Sequence, residues 1–286
     1  MKVKIGLIQM AMAENPQANL EKAVKKIREA AKKGAQIVCL PEMFNTPYFC
    51  QSEDYDAFDY AETVPGPTTD ALAKAAKENK TVVIAGLFEK RARGLYHNAA
   101  AVIDADGKLL GTYRKMHIPD DPNYYEKFYF TPGDLGFKVF DTKHGKIACL
   151  ICWDQWYPEA ARIAALKGAQ ILFYPTAIGW WTKDYKGKTA TEAKNAWQTI
   201  QASHAIANGV FVASVNRVGD EHGLKFWGSS FVCGPFGTKL AEAKDKEQIL
   251  IAECNLNEID KTRQGWPFLR DRRIDAYGGI TSRFLE

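Results

Sequence analysis

Cys152 is the residue of this sequence best placed to act as a nucleophile. It follows an apolar run over residues 147–151, and Pro158 and Glu159 after it fit the first turn of a helix. A corner between a strand and a helix exposes the side chain at its apex and directs backbone N–H groups toward it. The alternative is a buried thiol that packs as a small hydrophobic residue. The position at a corner favours the nucleophile.

Cys149 and Cys152 also form a C-x-x-C pair, which occurs in zinc sites and in redox-active dithiols. On a strand, however, residues three apart point to opposite faces, so the two sulfurs should diverge. The five histidines show no spacing typical of metal ligands, and no second cysteine pair is present. We therefore expect no metal and no cofactor. A non-catalytic redox or binding protein that uses these two cysteines is the alternative from another class.

A nucleophilic thiol needs a base, and two residues compete for that role. Glu42 ends a predicted strand over residues 35–40, where a solvated carboxylate would be the ordinary interpretation. If that strand neighbours the strand before Cys152, the carboxylate can take the thiol proton. His117 is the rival, because a Cys–His pair is the commoner way to activate a thiol.

Lys115 and Glu126 belong to a segment of unusual composition. Lys115 ends a predicted strand over residues 109–114, where most lysines would be solvated. The segment that follows is rich in proline and aromatic residues, and Tyr125 and Glu126 lie within it. Because so aromatic a loop should be packed, we expect Glu126 to be drawn inward with it.

The elements that must position these residues alternate between strand and helix, which indicates an α/β fold. A strand over residues 3–9, a helix over 19–33 and a strand over 35–40 are followed by a second such unit. Its elements span residues 146–152, 159–167 and 170–174. KIGLIQM resembles KIACLIC, and GAQIVCLPE resembles GAQILFYPT. We interpret this as an internal repeat, with two halves related by a pseudo-twofold axis.

Further strands are predicted over residues 81–89, 96–104, 109–114 and 137–141, and no Gly/Ser-rich or Pro-rich linker divides the chain. We therefore expect residues 1–286 to form a single domain. In an open α/β sheet the reactive groups lie beyond the carboxyl ends of the strands. Glu42, Cys152 and Thr176 all follow such strands.

Composition excludes several classes of protein. The chain has 286 residues, 46% hydrophobic and 25% charged, as in a globular protein. A net charge of +4 is too small and dispersed to predict a nucleic-acid or membrane partner. No apolar run approaches the roughly 18 residues of a membrane span. A chain of this length needs no disulfides, so six cysteines without a secretory signal indicate a cytoplasmic protein.

Three segments together, Pro41-Glu42, YRKMHIP over residues 113–119 and CLICWDQWYPEAAR over residues 149–162, resemble the nitrilase superfamily of carbon–nitrogen hydrolases. The resemblance covers essentially the whole chain. Within the superfamily, the segments YYEKFYFTPGD, FYPTAIG and RDRRIDAY are most similar to the N-carbamoylputrescine amidohydrolase branch. This resemblance implies a four-layer αββα sandwich. It also implies a catalytic triad of Glu42, Lys115 and Cys152, with Glu126 in support.

The activity that the resemblance implies is hydrolysis of N-carbamoylputrescine to putrescine, ammonia and carbon dioxide through a thioester on Cys152. Glu42 would move the protons, while the Lys115 ammonium and the backbone N–H of Trp153 would stabilise the oxyanion. Another N-carbamoyl compound, an ω-amide or a nitrile is the alternative substrate for the same residues.

The cationic end of putrescine should be met by acidic and aromatic side chains. Such residues follow Glu42 over positions 53–60 and follow Thr176 over positions 180–184. The substrate-binding candidates are Asp54, Tyr125, Thr176, Trp180 and Asp184. The resemblance also implies self-association, at least as a homodimer, with the tail over residues 265–286 as a candidate contact.

Overall fold

The structure, a computed structural model, describes residues 1–181 and 188–286. Its strands are β1 (Lys2–Gln9), β2 (Ile37–Cys39), β3 (Val82–Ala92), β4 (Leu95–Ile103), β5 (Leu109–Arg114), β6 (Val139–Thr142), β7 (Gly145–Cys149), β8 (Ile171–Pro175), β9 (Gly179–Trp181), β10 (Phe211–Val215), β11 (Val218–Glu221), β12 (Leu224–Trp227), β13 (Phe231–Cys233), β14 (Lys239–Glu242) and β15 (Gln248–Asn255). The helices are α1 (Pro16–Lys32), α2 (Pro67–Asn79), α3 (Glu126–Tyr129), α4 (Pro158–Leu166), α5 (Lys188–Asn208) and α6 (Asn257–Gly265). Among the described residues, no helix is long and apolar enough to cross a membrane.

Local sequence signals explain where the helices begin. The side chain of Asn15 accepts a hydrogen bond from the Ala18 N–H, and Pro16 then occupies the first turn of α1, where its missing N–H costs nothing. Helix α4 likewise begins at a proline, Pro158. Along α1, Ala23 and Ile27 recur with helical spacing and are buried. One face of this helix is therefore fixed against the sheet.

Two six-stranded sheets share one pairing pattern. Their strand orders are β15-β1-β2-β3-β4-β5 and β6-β7-β8-β10-β13-β14. In each sheet, an antiparallel edge pair is followed by two parallel pairs and then by two antiparallel pairs. The parallel pairs are connected through α1 and α2 in one sheet and through α4 and α5 in the other. The predicted internal repeat is thus present in the topology.

The layers stack with a core between the sheets. Ile5 and Ile84 of the first sheet share one buried cluster with Ile147 and Phe173 of the second. On the other face of the first sheet, side chains of α1 and α2 pack with Val83. Alanines of α4 pack within the cluster of the second sheet. This arrangement confirms the α/β class and the sandwich that the sequence predicted.

Several elements were not anticipated from the sequence. Helices α2 and α6 were missed, as was a third, three-stranded sheet in the order β11-β12-β9. The strands of that sheet are only three or four residues long, so a period of two is hard to detect in them. The third sheet brings Gly179–Trp181 against residues 224–226.

Gly86 of β3 packs directly against the backbone of Glu42, the predicted base. A Cβ atom added at Gly86 would lie 2.7 Å from Glu42 Cα and 2.8 Å from Met43 N, both of which are backbone atoms. We expect Gly86→Ala to destabilise the fold by about 1–3 kcal/mol and to lower turnover, because Glu42 must move. Thermal unfolding and activity would be measured together.

Gly265→Ala is the matched control, because nothing lies within 4 Å of a Cβ atom there. It should leave both properties close to wild type. Wild-type turnover in Gly86→Ala would contradict the prediction.

Candidate active site

Cys152 lies on a strained corner just beyond the second sheet. The strand predicted over residues 146–152 ends earlier, at Cys149, so the expectation that Cys152 itself ends a strand was wrong. Cys152 instead begins a 3₁₀ turn, Cys152–Trp156, with a φ of +44°, which non-glycine residues rarely adopt. Such strain is common where a side chain must be presented to a ligand.

The corner is held by the buried carboxylate of Asp154. Its Oδ2 atom accepts hydrogen bonds from the Ile151 N–H at 2.8 Å and from the Tyr113 hydroxyl at 2.7 Å. An N–H taken by a side chain is lost to the sheet, which explains why the strand stops before residue 151. Neither Asp154 nor Tyr113 was identified from the sequence.

Cys149 and Cys152 have different surroundings. Both pack in the core between the two sheets, but of the two only Cys152 also lines a cavity. Both are free thiols, and burial raises the pKa of each. The different surroundings indicate that Cys149 and Cys152 have separate roles.

A buried cluster of three charged side chains joins Glu42, Lys115 and Glu126. Lys115 Nζ donates to Glu42 Oε1 at 2.8 Å and to Glu126 Oε2 at 2.6 Å, and all three side chains are fully buried. Burial by itself would lower the pKa of Lys115, but the charges of Glu126 and Glu42 outweigh it and raise that pKa well above its usual range. Lys115 is therefore a fixed ammonium. The three residues nominated from distant parts of the sequence thus lie together.

The two carboxylates of the cluster are bonded differently. Burial raises the pKa of Glu126 to about 7, and the neighbouring Lys115 ammonium opposes that rise. Both oxygens of Glu126 have donors, since the Tyr48 hydroxyl donates to Oε1 at 2.9 Å. Glu42 Oε2, by contrast, is buried without a hydrogen-bond partner among the described residues. An unpaired carboxylate oxygen is what a proton acceptor requires.

The Cys152 thiol is electrostatically linked to the same cluster. Burial raises its pKa most, the charge of Glu42 raises it further, and the Lys115 ammonium lowers it. The thiol is therefore protonated at rest. A base must therefore remove the thiol proton before the sulfur can react. Among the carboxylates, Glu42 has the strongest electrostatic effect on the thiol.

Asn98 and Tyr48 complete the cluster, and both were missed from the sequence. Asn98 Nδ2 donates to Glu42 Oε1 at 2.7 Å and to Glu126 Oε2 at 3.3 Å. The signal for Asn98 was present, because it is a polar residue directly before the apolar residues 99–103 of β4. Tyr48 carried no such signal.

Arg217 fixes the backbone that carries Glu42, and it too was missed. Its guanidinium is fully buried and donates to the backbone oxygens of Glu42 at 3.1 Å and Thr46 at 3.0 Å. Glu221 neutralises it, with Nη1 at 3.0 Å from Oε1. The turn after Glu42 includes Met43, whose φ of +44° is strained. The hydrogen bonds from Arg217 hold this strained segment in place.

His117, the rival base, is engaged elsewhere. Its Nδ1 atom lies 2.7 Å from Asp154 Oδ1, and its ring stacks on that of Tyr157 with centroids 3.7 Å apart. The imidazole thus stabilises the corner through its contacts with Asp154 and Tyr157. The geometry favours Glu42 as the base.

A cavity of about 660 Å³ opens beside Cys152. Its walls are mainly apolar, and the described part of them includes five aromatic side chains. Trp180, a predicted substrate-binding residue, is one of them, and Trp153, predicted only to supply a backbone N–H, is another. The described lining residues are Pro119, Asp121, Pro122, Asn123, Tyr124, Cys152, Trp153, Trp156, Ala177, Ile178, Gly179, Trp180, Thr189, Ala193 and Trp227. A pocket of this size and character suits a small organic substrate.

Three of the predicted substrate-binding residues lie outside this lining. Thr176 is fully buried and its hydroxyl donates to the Tyr174 oxygen, so it belongs to the strand end. Asp54 caps the 3₁₀ helix Tyr55–Tyr60 and lines a separate cavity. Tyr125 is half-buried and its neighbour Tyr124 lines the cavity instead. Asp184 lies outside the described residues.

Known proteins resemble this chain over nearly its whole length. The carbon-nitrogen hydrolase family model matches residues 4–264. An N-carbamoylputrescine amidase of Oryza sativa subsp. japonica is 46% identical over 96% of this chain and 93% of its own length. A citrullinase of Francisella tularensis subsp. tularensis is 40% identical over 99% of each chain. A solved carbon-nitrogen hydrolase from Helicobacter pylori superposes with a TM-score of 0.97 at 47% identity, covering 100% of both chains.

The unpaired oxygen of Glu42 predicts which base substitution matters. We expect Glu42→Gln to remove nearly all turnover, because an amide cannot accept the thiol proton, while the isosteric side chain keeps the fold. His117→Ala should retain substantial activity, because it removes only a support of the corner. Steady-state rates and circular dichroism of both variants would test this. An inactive but folded His117→Ala would instead favour Cys–His chemistry.

Proposed function

Because the chain belongs to the carbon–nitrogen hydrolase family, we propose that it is a thiol amidohydrolase that converts N-carbamoylputrescine to putrescine, ammonia and carbon dioxide. One observation carries this proposal. Cys152, on its strained corner, lines an aromatic cavity and is electrostatically linked to the buried cluster of Glu42, Lys115 and Glu126. The similarity to the rice N-carbamoylputrescine amidase supports the choice of substrate.

In the first half of the reaction, the thiol is converted to a thioester. Glu42 takes the Cys152 proton through its free oxygen, and the sulfur attacks the carbamoyl carbon to form a C–S bond. The carbonyl oxygen gains negative charge in the tetrahedral intermediate. Glu42 then returns the proton to the departing nitrogen, the C–N bond breaks, and one amine leaves.

The developing oxyanion needs positive groups that are already in place. The Lys115 ammonium is held between two carboxylates and cannot reorient. Trp153 is the second residue of the 3₁₀ turn, and N–H groups at the start of a helical turn have no partner within it. Loss of one such donor typically lowers the rate by about 10²–10³.

In the second half, water releases the remaining group. Glu42 removes a proton from water, whose oxygen attacks the thioester carbon, and the C–S bond breaks to restore the thiol. The carbamic acid that forms decomposes to carbon dioxide and the second amine. The net products are the same whichever amine leaves first.

Glu126 acts on this chemistry through Lys115. Its Oε2 atom lies 2.6 Å from Lys115 Nζ, so it orients the ammonium without occupying the second oxygen of Glu42. Asn98 connects the two carboxylates and fixes their separation. We assign both as positioning residues.

Citrulline is the competing substrate that the second relative suggests. It also carries an N-carbamoyl group, but it ends in a carboxylate as well as an ammonium group. The described residues that line the cavity include no lysine or arginine to bind a carboxylate. This composition favours the carbamoylated amine over a carbamoylated amino acid.

The proposal predicts that activity depends on one cysteine. Cys152→Ala should abolish turnover without unfolding the protein, whereas Cys149→Ala should keep most activity at a modest cost in core packing. The measurement is ammonia release from N-carbamoylputrescine, citrulline, an ω-amide and a nitrile. If citrulline or the nitrile were the better substrate, the proposed function would be wrong. If both cysteine variants were equally inactive, the single-nucleophile mechanism would be wrong.

We also propose that the chain is one domain that self-associates through its tail, residues 265–286. This segment follows the last residue matched by the family model. It exposes Ile274 at 73% and Phe284 at 84% of their surfaces, and Trp266 and Ile280 by more than half. Large apolar side chains that are exposed together in one segment are typical of an interaction surface. A second copy of the chain is the partner that we propose.

Self-association has a direct test. Light scattering at micromolar concentration should give a mass of at least two chains, and Phe284→Asp combined with Ile274→Asp should lower that mass. Replacing the exposed Tyr55, which lies outside the tail, with Ser is the control and should change nothing. A monomeric wild-type protein would contradict the proposal.

The cytoplasm is the compartment that we propose. All six cysteines are free thiols, as expected where the environment is reducing.

A further inference from the structure

The wall of the cavity beside Cys152 carries one charged side chain among its described residues. That residue is Asp121. All other described lining residues are aromatic, aliphatic, small or uncharged polar residues, apart from the thiol itself. A single carboxylate in an otherwise uncharged pocket attracts a cation and repels an anion.

Asp121 is mounted on a rigid turn. Its backbone oxygen accepts a hydrogen bond from the Tyr124 N–H at 2.8 Å, and the turn contains Pro122 and Asn123, the latter with a φ of +68°. Tyr124 in turn exchanges hydrogen bonds with the backbone of Gly179 across the cavity, at 3.1 Å each. The backbone is thus fixed, while the carboxylate has no hydrogen-bond partner among the described residues and is available to a ligand.

The aromatic rings suit the rest of an alkylammonium ligand. Trp180 and Trp227 pack with their centroids 5.0 Å apart, and Trp153 and Trp156 lie 6.3 Å apart. Aromatic rings bury methylene groups, and their faces also attract an ammonium group. A short aliphatic chain that ends in a cation is therefore complementary to this cavity.

We propose that Asp121 binds the terminal ammonium of the substrate and is the residue that selects carbamoylated amines with a cationic end. This inference rests on the proposed function and adds the residue that recognises the far end of the molecule. When the carbamoyl carbon is at Cys152, the methylene chain lies along the tryptophans and the ammonium reaches Asp121. A substrate with a carboxylate at that end would meet the negative charge and be rejected.

The test compares two substrates of equal length. Asp121→Asn should lower kcat/KM for N-carbamoylputrescine through a rise in KM, and should affect uncharged N-carbamoylpentylamine, which has a methyl group in place of the ammonium, far less. A hydrogen bond between charged groups corresponds to roughly 10- to 150-fold in affinity. Because solvent screens the exposed Asp121, we expect the loss of affinity to be about 10-fold. The ratio of the two kcat/KM values should therefore fall by about 10-fold.

Charge reversal gives a second readout. Asp121→Lys should lower kcat/KM for N-carbamoylputrescine further and raise it for 4-ureidobutyrate, whose terminal group is a carboxylate. Asp120→Asn is the matched control, because Asp120 is an adjacent exposed acid outside the cavity lining. It should leave the substrate ratio of the wild type unchanged.

Three results would overturn the assignment of Asp121. The first is an equal loss on both substrates, which would mean that the residue only shapes the turn. The second is an unchanged ratio in Asp121→Asn, and the third is a selective loss in Asp184→Asn instead. Failure of the proposed function would be distinguishable from these results, because the wild-type enzyme would then release no ammonia from N-carbamoylputrescine at all.

Discussion

The structure depends on the burial of one ammonium group between two carboxylates. Transferring Lys115, Glu42 and Glu126 out of water costs several kcal/mol per ion, and only close, well-oriented pairing offsets that cost. Contacts of 2.8 and 2.6 Å supply the pairing. Asn98 donates to the same two oxygens as Lys115, and Tyr48 donates to the other oxygen of Glu126, which leaves one oxygen of Glu42 unpaired. Among the described atoms of this network, that oxygen and Asn98 Oδ1 are the buried polar atoms without a hydrogen-bond partner.

The site forms where the two halves of the repeat meet. Glu42 and Lys115 follow strands of the first sheet, and Cys152 follows a strand of the second. Two strained residues, Met43 and Cys152, each with a φ of +44°, lie just beyond strands of the two sheets. Arg217 pins one corner and Asp154 pins the other. Such strain persists only because buried, charged hydrogen-bonding groups hold the backbone on each side.

Chemistry and recognition come from different parts of the chain. The charged cluster is fully buried, whereas the cavity is lined by the loop over residues 119–124 together with residues of β9, β12 and the start of α5. Loops tolerate substitution better than the core does. One catalytic cluster can therefore serve different carbamoyl or amide substrates as the lining changes, in keeping with relatives named for N-carbamoylputrescine and for citrulline.

The sequence by itself determined the fold class and the repeat, and it predicted the four site residues Glu42, Lys115, Glu126 and Cys152. It could do so because strand ends and apolar periodicity are local, and because the motifs around these residues resemble those of a known family. Only the tertiary structure decided what surrounds them. Asn98, Tyr48 and Arg217 lie far from Glu42 along the chain or carry no local signal, and they meet it only after the strands pair. Likewise, the sequence placed Asp54 and Thr176 at the substrate by their nearness to Glu42 and a strand end. In the structure, Thr176 is buried and Asp54 caps a 3₁₀ helix. Asp121 lies in the cavity wall instead, on a fixed turn. Side-chain direction and long-range contact decide such positions, and neither is encoded in spacing along the chain.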